Sequence, residues 1–270
     1  MNYQTFVINM KRSPERLEFM TEQFKRLGMD FEVQEGVDGR TYNFSDVYDE
    51  NVSIKYNGTP LTPVERGCAL SHKIILEKTL ESDLEYVLIL EDDVELPDNF
   101  KEIVERVIKD NDGDKTDWEY LSFNYPYVGI RNIKLWLYLF FNMFKRDKSL
   151  LKILKIPMYF VKFILISIFS LLEGLREKIY KQKYKLGKVV KFYRPIYFAG
   201  CYLVKRTGAE KILSIGNGII YPADRVQNVA RIKKSLKLYA FCPMVAKQRR
   251  DKFESTLNNQ DVSSILDILV

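Results

Sequence analysis

The sequence predicts an α/β fold with a mostly parallel central sheet, on three observations. Its first stretch, Tyr3 to Val33, reads as strand, helix, strand. The run Tyr86-Val87-Leu88-Ile89-Leu90 carries no charge and stops abruptly at Glu91-Asp92-Asp93, as a strand buried on both faces does. Beyond it, apolar β-rich runs alternate with segments that open on helix-start signals, the pattern of helices packed on a sheet. The composition agrees: 270 residues that are 46% hydrophobic can bury a sizeable core, which excludes global disorder. No linker rich in Pro, Gly or Ser divides the chain, so one large domain is expected.

Each element has its own reason. Tyr3 to Asn9 alternates and is rich in β-formers, the first strand. Ser13 as N-cap and Pro14 at the first helical position open a helix that runs to about Leu27 and ends at Gly28. Phe31 to Val33 is the second strand, followed by a turn at Asp38-Gly39. Thr62-Pro63-Val64-Glu65 spells a capping box, so a helix is expected from Pro63 to about Leu80. After the apolar strand come a helix from about Asn99 to Lys109 and a strand at Tyr120 to Phe123. Ile196 to Val204 reads as a strand, Thr207-Gly208-Ala209-Glu210 as a second capping box, Pro222-Ala223-Asp224 as a further helix start, and Leu238 to Val245 as the last strand. No internal repeat is present.

The acidic triplet is the chemical centre. Carboxylates at the C-terminal edge of a buried strand stand where open α/β sheets bind ligands. Such oxygens suit a hard cation, Mg²⁺ or Mn²⁺, which can neutralise a diphosphate leaving group. Alternate residues of an extended stretch point the same way, so Glu91 and Asp93 can share a metal while Asp92 faces elsewhere. Strand-end acids also occur merely to solvate a loop or cap the next helix, so the triplet alone does not decide.

Four ordered blocks carry the reading further. Leu61-Thr62-Pro63-Val64-Glu65-Arg66-Gly67-Cys68-Ala69-Leu70-Ser71-His72 is followed by Leu88-Ile89-Leu90-Glu91-Asp92-Asp93-Val94. Val7-Ile8-Asn9-Met10-Lys11-Arg12-Ser13-Pro14-Glu15-Arg16 precedes them, and Ala199-Gly200-Cys201-Tyr202-Leu203-Val204 with Gly208-Ala209-Glu210-Lys211 comes after. Together these resemble glycosyltransferase family 25, which includes bacterial lipooligosaccharide galactosyltransferases and collagen-modifying enzymes. The resemblance covers residues 3–124 and 194 to about 256. It implies a GT-A-like nucleotide-sugar-binding fold, a UDP-galactose or UDP-glucose donor, Mn²⁺ or Mg²⁺ as cofactor, and inversion at the anomeric carbon.

The remaining candidates have two readings each. His72 is the only histidine, either a structural hydrogen-bonder or a site-lining group, as is Ser71 beside it. Asp224 is either a first-turn acid at a helix N-terminus or the general base for the acceptor hydroxyl, because an inverting transfer needs one carboxylate for deprotonation. Arg12 and Arg16, with Asn9, lie at the end of the first strand, where guanidinium groups can meet donor phosphate or uracil or simply face water. Asp38-Gly39 is a turn or a donor contact, Asp92 and Gln248 are expected among the donor contacts, and Ser255 lies in the same tail.

The middle of the chain differs from the rest. Between Arg131 and Lys191, 15 Lys/Arg stand against three acids, a net of +12 that leaves the remainder at −6. Lys145, Lys148, Lys152 and Lys155 recur at helical steps beside Ile156 to Leu172, which holds one charge, Lys162, in 17 residues. A single membrane crossing would place the triplet and Asp224 on opposite sides, so the expectation is an interfacial or dipping segment on an anionic surface; an ordinary buried helix pair is the alternative. The interleaved residues are aliphatic and no nucleic-acid motif occurs, which excludes nucleic acid as the partner. The expected division is a catalytic domain of 1–130 and 192–270 with a helical insertion at 131–191. Three cysteines without a CxxC spacing speak against a disulfide framework or zinc site. The start, MNYQTFVINM, lacks a signal-peptide pattern, so a cytoplasmic protein peripheral to the inner face of the cell membrane is expected, with a lipid-linked oligosaccharide as acceptor. Two rivals use the same residues: a metal-dependent phosphoesterase or nucleotidyltransferase, and a catalytically inactive membrane-bound scaffold.

Overall fold

Period-two alternation in one strand organises the molecule. In the strand β3 (Tyr86–Glu91), Tyr86, Leu88 and Leu90 belong to one apolar cluster and Val87 and Ile89 to the other. Val87, Leu88, Ile89 and Leu90 are fully buried, so helices must cover both faces of the sheet. Each such side chain contributes roughly 1.5–3 kcal/mol relative to exposure.

The computed structural model describes residues 2–125, 187–191, 196–249 and 252–253. Besides β3, the strands among them are β1 (Tyr3–Asn9), β2 (Glu32–Glu35), β4 (Val94–Glu95), β5 (Tyr120–Ser122), β6 (Lys188–Lys191), β7 (Cys201–Lys205), β8 (Leu238–Cys242) and β9 (Lys247–Gln248). The helices are α1 (Pro14–Leu27), α2 (Glu50–Asn57), α3 (Pro63–Glu81), α4 (Phe100–Asp112), α5 (Arg206–Leu213) and α6 (Val226–Lys234). Seven strands form one sheet in the order β2-β1-β3-β7-β5-β8-β6, while β4 and β9 pair apart. β1, β2, β3, β5 and β8 run one way, and β7 and β6 run against them, so the sheet is mostly parallel. Helices α1 and α4 pack on the Leu88 face through Met20, Phe24, Phe100, Ile103 and Val107. On the Val87 face lie α3, α5 and α6 through Ile75, Leu76, Ala209, Ile212 and Ala230.

Local chemistry explains most helix ends. Thr62 and Glu65 form the expected capping box of α3, and Gly28 closes α1 in the left-handed region at φ 59°. The carbonyls left over at the end of α3 are taken by Arg206, which donates to the oxygens of Thr79, Leu80 and Ser82. Ser13 stands before α1 but makes no side-chain cap.

Several boundaries differ from the sequence expectation. The second capping box does not form: α5 opens at Arg206, so Thr207 is already inside the helix. β7 begins at Cys201, not Ile196, because the chain turns at Phe198, whose φ is 78°. Pro222 to Arg225 is a turn closed by Arg225 N–H donating to the Pro222 carbonyl at 3.0 Å, and α6 starts only at Val226. β8 stops at Cys242 because Pro243 offers no N–H to a ladder. β6, which falls within the expected 131–191 insertion, pairs with β8 in the main sheet, so the main sheet resumes before residue 192. Lys145, Lys148, Lys152, Lys155 and the apolar run after them lie outside the described residues, as does Ser255. Among the described residues no helix is long and apolar enough to cross a membrane.

Candidate active site

The carboxyl ends of β1, β2 and β3 meet at one edge, since Ile8 pairs with Glu91 and Asn9 with Glu35. A cleft of about 920 Å³, counting its solvent-filled mouth, opens there. It is lined by the triplet, by the N-terminal half of α3 from Val64 to His72, and by Arg12 and Arg16.

Glycines let the α3 wall close in. A Cβ on Gly39 would lie 1.6 Å from the Pro63 carbonyl oxygen, and one on Gly67 would lie 2.4 Å from the Val37 oxygen. The loop after β2 therefore touches α3 backbone to backbone. Ser71 fastens the same contact: its hydroxyl donates to the Gly67 carbonyl at 2.8 Å and accepts from Val37 N–H at 2.9 Å. Ser71 and Gly39 line the cleft, and both also build it.

The triplet splits in the alternating way its extended backbone dictates. Asp92 turns inward, accepting from Asn9 Nδ2 at 2.8 Å and from the Arg16 guanidinium at 3.0 Å. Burial pushes its carboxyl above the ordinary range, with Arg16 and Asn9 opposing that push. Arg16 is itself 8% exposed and stacks over the Phe253 ring, so it is no solvated first-turn residue. Arg12, more open, pairs with Asp38 at the cleft mouth. The Arg40 backbone N–H, aided by Arg12, holds the Asp38 carboxyl below its usual value.

Glu91 is the meeting point. Its Oε2 accepts from Gln248 Nε2 at 2.8 Å, and its Oε1 faces Cys68 Sγ at 3.9 Å and His72 Nε2 at 3.6 Å. The pairing of β9 with β4 brings Gln248 there across 157 positions of sequence. Gly200 keeps this point close-packed, since a Cβ would lie 3.3 Å from Gln248 Nε2 and 3.1 Å from Asn124 Oδ1. His72 is buried, its Nδ1 at 3.0 Å from the Tyr202 hydroxyl, and Tyr202 stacks in turn on Tyr120. A mostly apolar cavity adjoins this stack, lined by Ile212, Tyr221 and Ala223 among others.

Asp224 also belongs to this group. It lies before α6, in the turn, and accepts from the Phe198 backbone N–H. The left-handed backbone at Phe198 aims that N–H. Burial raises the Asp224 carboxyl first and the Glu91 charge raises it second. The Cys68 thiol is raised well above its usual value by burial, then by Glu91, Asp224 and Asp93. Of the three carboxylates, Glu91 touches the thiol directly, at 3.9 Å. Cys68, Tyr202, Phe198 and Gly200 have no assigned role in the sequence reading. Cys68 stands one helical turn before His72, a spacing that puts both on one face and could have flagged it.

Comparison with known proteins places this arrangement. The profile described as "Glycosyltransferase family 25 (LPS biosynthesis protein)" matches residues 2–227. The chain belongs to glycosyltransferase family 25. Similar relatives include the procollagen galactosyltransferase 2 of Mus musculus, 29% identical over 138 residues that make up 49% of this chain and 21% of that protein. A glycosyltransferase 25 family member of Aedes aegypti is 38% identical over 111 residues, 39% of this chain and 18% of its own length. The inactive glycosyltransferase 25 family member 3 of Homo sapiens is 34% identical over 122 residues, 43% of this chain and 20% of its own. The chain thus spans about a fifth of the length of these curated relatives.

A hard divalent cation fits Glu91 and Asp93. Both are carboxylates lining one cleft, the oxygen donors such an ion takes. Mg²⁺-like ions take one or two protein carboxylates and complete their shell with phosphate oxygens.

Proposed function

We propose that this family 25 member is a GT-A-like, metal-dependent hexosyltransferase that moves galactose or glucose from a UDP-sugar to a glycan acceptor, with inversion. One observation supports it above the others: Asp224, remote in sequence, comes near Glu91 and Asp93 at the carboxyl edge of parallel strands. The name of the Mus musculus relative favours galactose. The description of the family favours a lipooligosaccharide acceptor. With such an acceptor, the basic segment holds the protein at the cytoplasmic face of the membrane.

Each residue then has a task. Glu91 and Asp93 hold Mn²⁺ or Mg²⁺, which when bound supplies positive charge for the leaving diphosphate. Gln248 fixes one oxygen of Glu91 and leaves the other facing the cleft. Arg12, held by Asp38 at the mouth, is placed for the phosphates or uracil. Arg16, Asn9 and Asp92 tie β1, α1 and the end of β3 together beneath the donor. Asp224 takes the proton from the acceptor hydroxyl. That oxygen forms the new bond to the anomeric carbon as the bond to UDP breaks on the opposite face. A raised carboxyl is a stronger base than an ordinary one and suits this step.

Calorimetry with UDP-galactose and UDP-glucose in the presence of manganese tests the reading, together with identification of the released nucleotide. Binding of one donor, and UDP as product, is the expected result. Release of uridine monophosphate or pyrophosphate would instead mark a phosphoesterase or nucleotidyltransferase. The inactive designation of the Homo sapiens relative keeps a scaffold in view, and failure to bind any donor or metal, with lipid binding intact, would point to that alternative.

Asp224→Asn should lower kcat about a hundredfold and leave donor affinity within about threefold, since a base acts on the acceptor and not the nucleotide. A donor affinity that falls as far as kcat would move Asp224 into the donor site.

A further inference from the structure

We infer that Cys68, His72 and Glu91 form a second cation site, one that takes Zn²⁺ or a similar borderline-soft ion. Their donor atoms lie within 4.8 Å of one another. Around a tetrahedral zinc ion, thiolate, imidazole and carboxylate donors stand about 3.3 to 3.6 Å apart. Here Sγ of Cys68 is 3.9 Å and Nε2 of His72 is 3.6 Å from the same oxygen, Oε1 of Glu91. Movements of less than about an ångström complete the geometry.

Two further features point to a ligand. First, His72 is 4% exposed, and its Nε2 is buried with no hydrogen-bond partner, aimed at Glu91 Oε1. A buried ring nitrogen left this way forgoes a bond that a metal would supply. Second, the groups around the three donors are set as outer-shell partners. The Tyr202 hydroxyl lies 3.0 Å from His72 Nδ1 and fixes the ring with Nε2 toward the cleft; with the proton on Nδ1, the Nε2 lone pair is the one a cation would take. Gln248 holds Oε2 of Glu91, while Oε1 faces Cys68 Sγ and His72 Nε2. All three donors line the cleft, which leaves the fourth position open to water or a ligand, the arrangement of zinc sites that are not purely structural.

The thiolate decides the choice of ion. Sulfur selects zinc over manganese or magnesium, whereas the oxygens of Glu91 and Asp93 select the hard ions. Coordination removes the thiol proton outright. Cys and His one turn apart on α3, with a carboxylate from the end of β3, escape any CxxC pattern, which is why cysteine spacing alone argues against zinc here. The link to transfer activity rests on the proposed function only in that Glu91 is shared, so that zinc would withdraw it from the donor site.

The measurement needs no activity and so stands apart from that reading. Untagged, reduced full-length protein is titrated with CoCl₂, and the near-ultraviolet thiolate-to-cobalt charge-transfer band is followed; ZnCl₂ is then added as competitor. The other two cysteines are buried and His72 is the only histidine, so the signal has one source. We expect a band of one equivalent that zinc abolishes. Cys68→Ala should lose the band, and Cys68→Ala and His72→Gln should each weaken zinc binding at least tenfold, with circular dichroism confirming the fold. No band in the wild-type protein, or an equal band in folded Cys68→Ala, would overturn the site.

Discussion

Asp93→Ala should reduce transfer about a thousandfold or more, with little change in thermal stability. The side chain lines the cleft, and the Asp93 carbonyl, which the replacement keeps, accepts from Arg249 N–H at 2.8 Å. Removing one of two carboxylates withdraws several kcal/mol of charge stabilisation from the leaving diphosphate. At about 1.4 kcal/mol for each factor of ten, that is three decades or so. Turnover is measured at saturating manganese, so that weaker metal affinity alone does not masquerade as lost chemistry. Turnover within threefold of wild type would remove Asp93 from the metal site. The same loss accompanied by a collapse of the melting temperature would make its role structural.

How far such a site can be read beforehand depends on the range of the interactions that build it. β3 is legible because five consecutive side chains are buried and local pattern alone reveals that. The α3 start is legible because Thr62 and Glu65 bond each other three residues apart. By contrast β9 is two residues long and exists only because it pairs with β4. β6 reads as part of the basic segment, since Lys188 and Lys191 flank only two valines, and the ladder with β8 defines it. α5 carries the letters of a capping box at Thr207, yet Arg206 is drawn to the end of α3 and the helix starts early. The site shows the same division. Glu91, Asp92 and Asp93 announce themselves as a cluster. Asp224 gains its neighbours only through the Phe198 turn, and Cys68 only through Glu91.

The Arg16–Asp92 pair yields a contrast between single and double replacement. Asp92→Ala should destabilise the fold by roughly 3–5 kcal/mol, because it leaves a guanidinium buried without its anion. The sign of the electrostatics makes the double replacement informative. Burial raises the Asp92 carboxyl above its ordinary value of 3.8 even with Arg16 beside it, so the folded state holds the ionised form at a cost. That cost is present at neutral pH and fades as pH falls through the raised value toward 3.8, where the group protonates. The ion pair is therefore expected to add little net stability to this corner. Asn9 Nδ2 keeps the Ser13 carbonyl at 3.0 Å when Asp92 is gone. Combining Arg16→Met with Asp92→Leu should thus restore most of the stability that either single change removes. Chemical denaturation of the two single variants and the double variant closes a cycle. A double variant as unstable as the sum of its parts would show the pair to be net stabilising, and the raised carboxyl to be compensated by contacts other than Arg16 and Asn9.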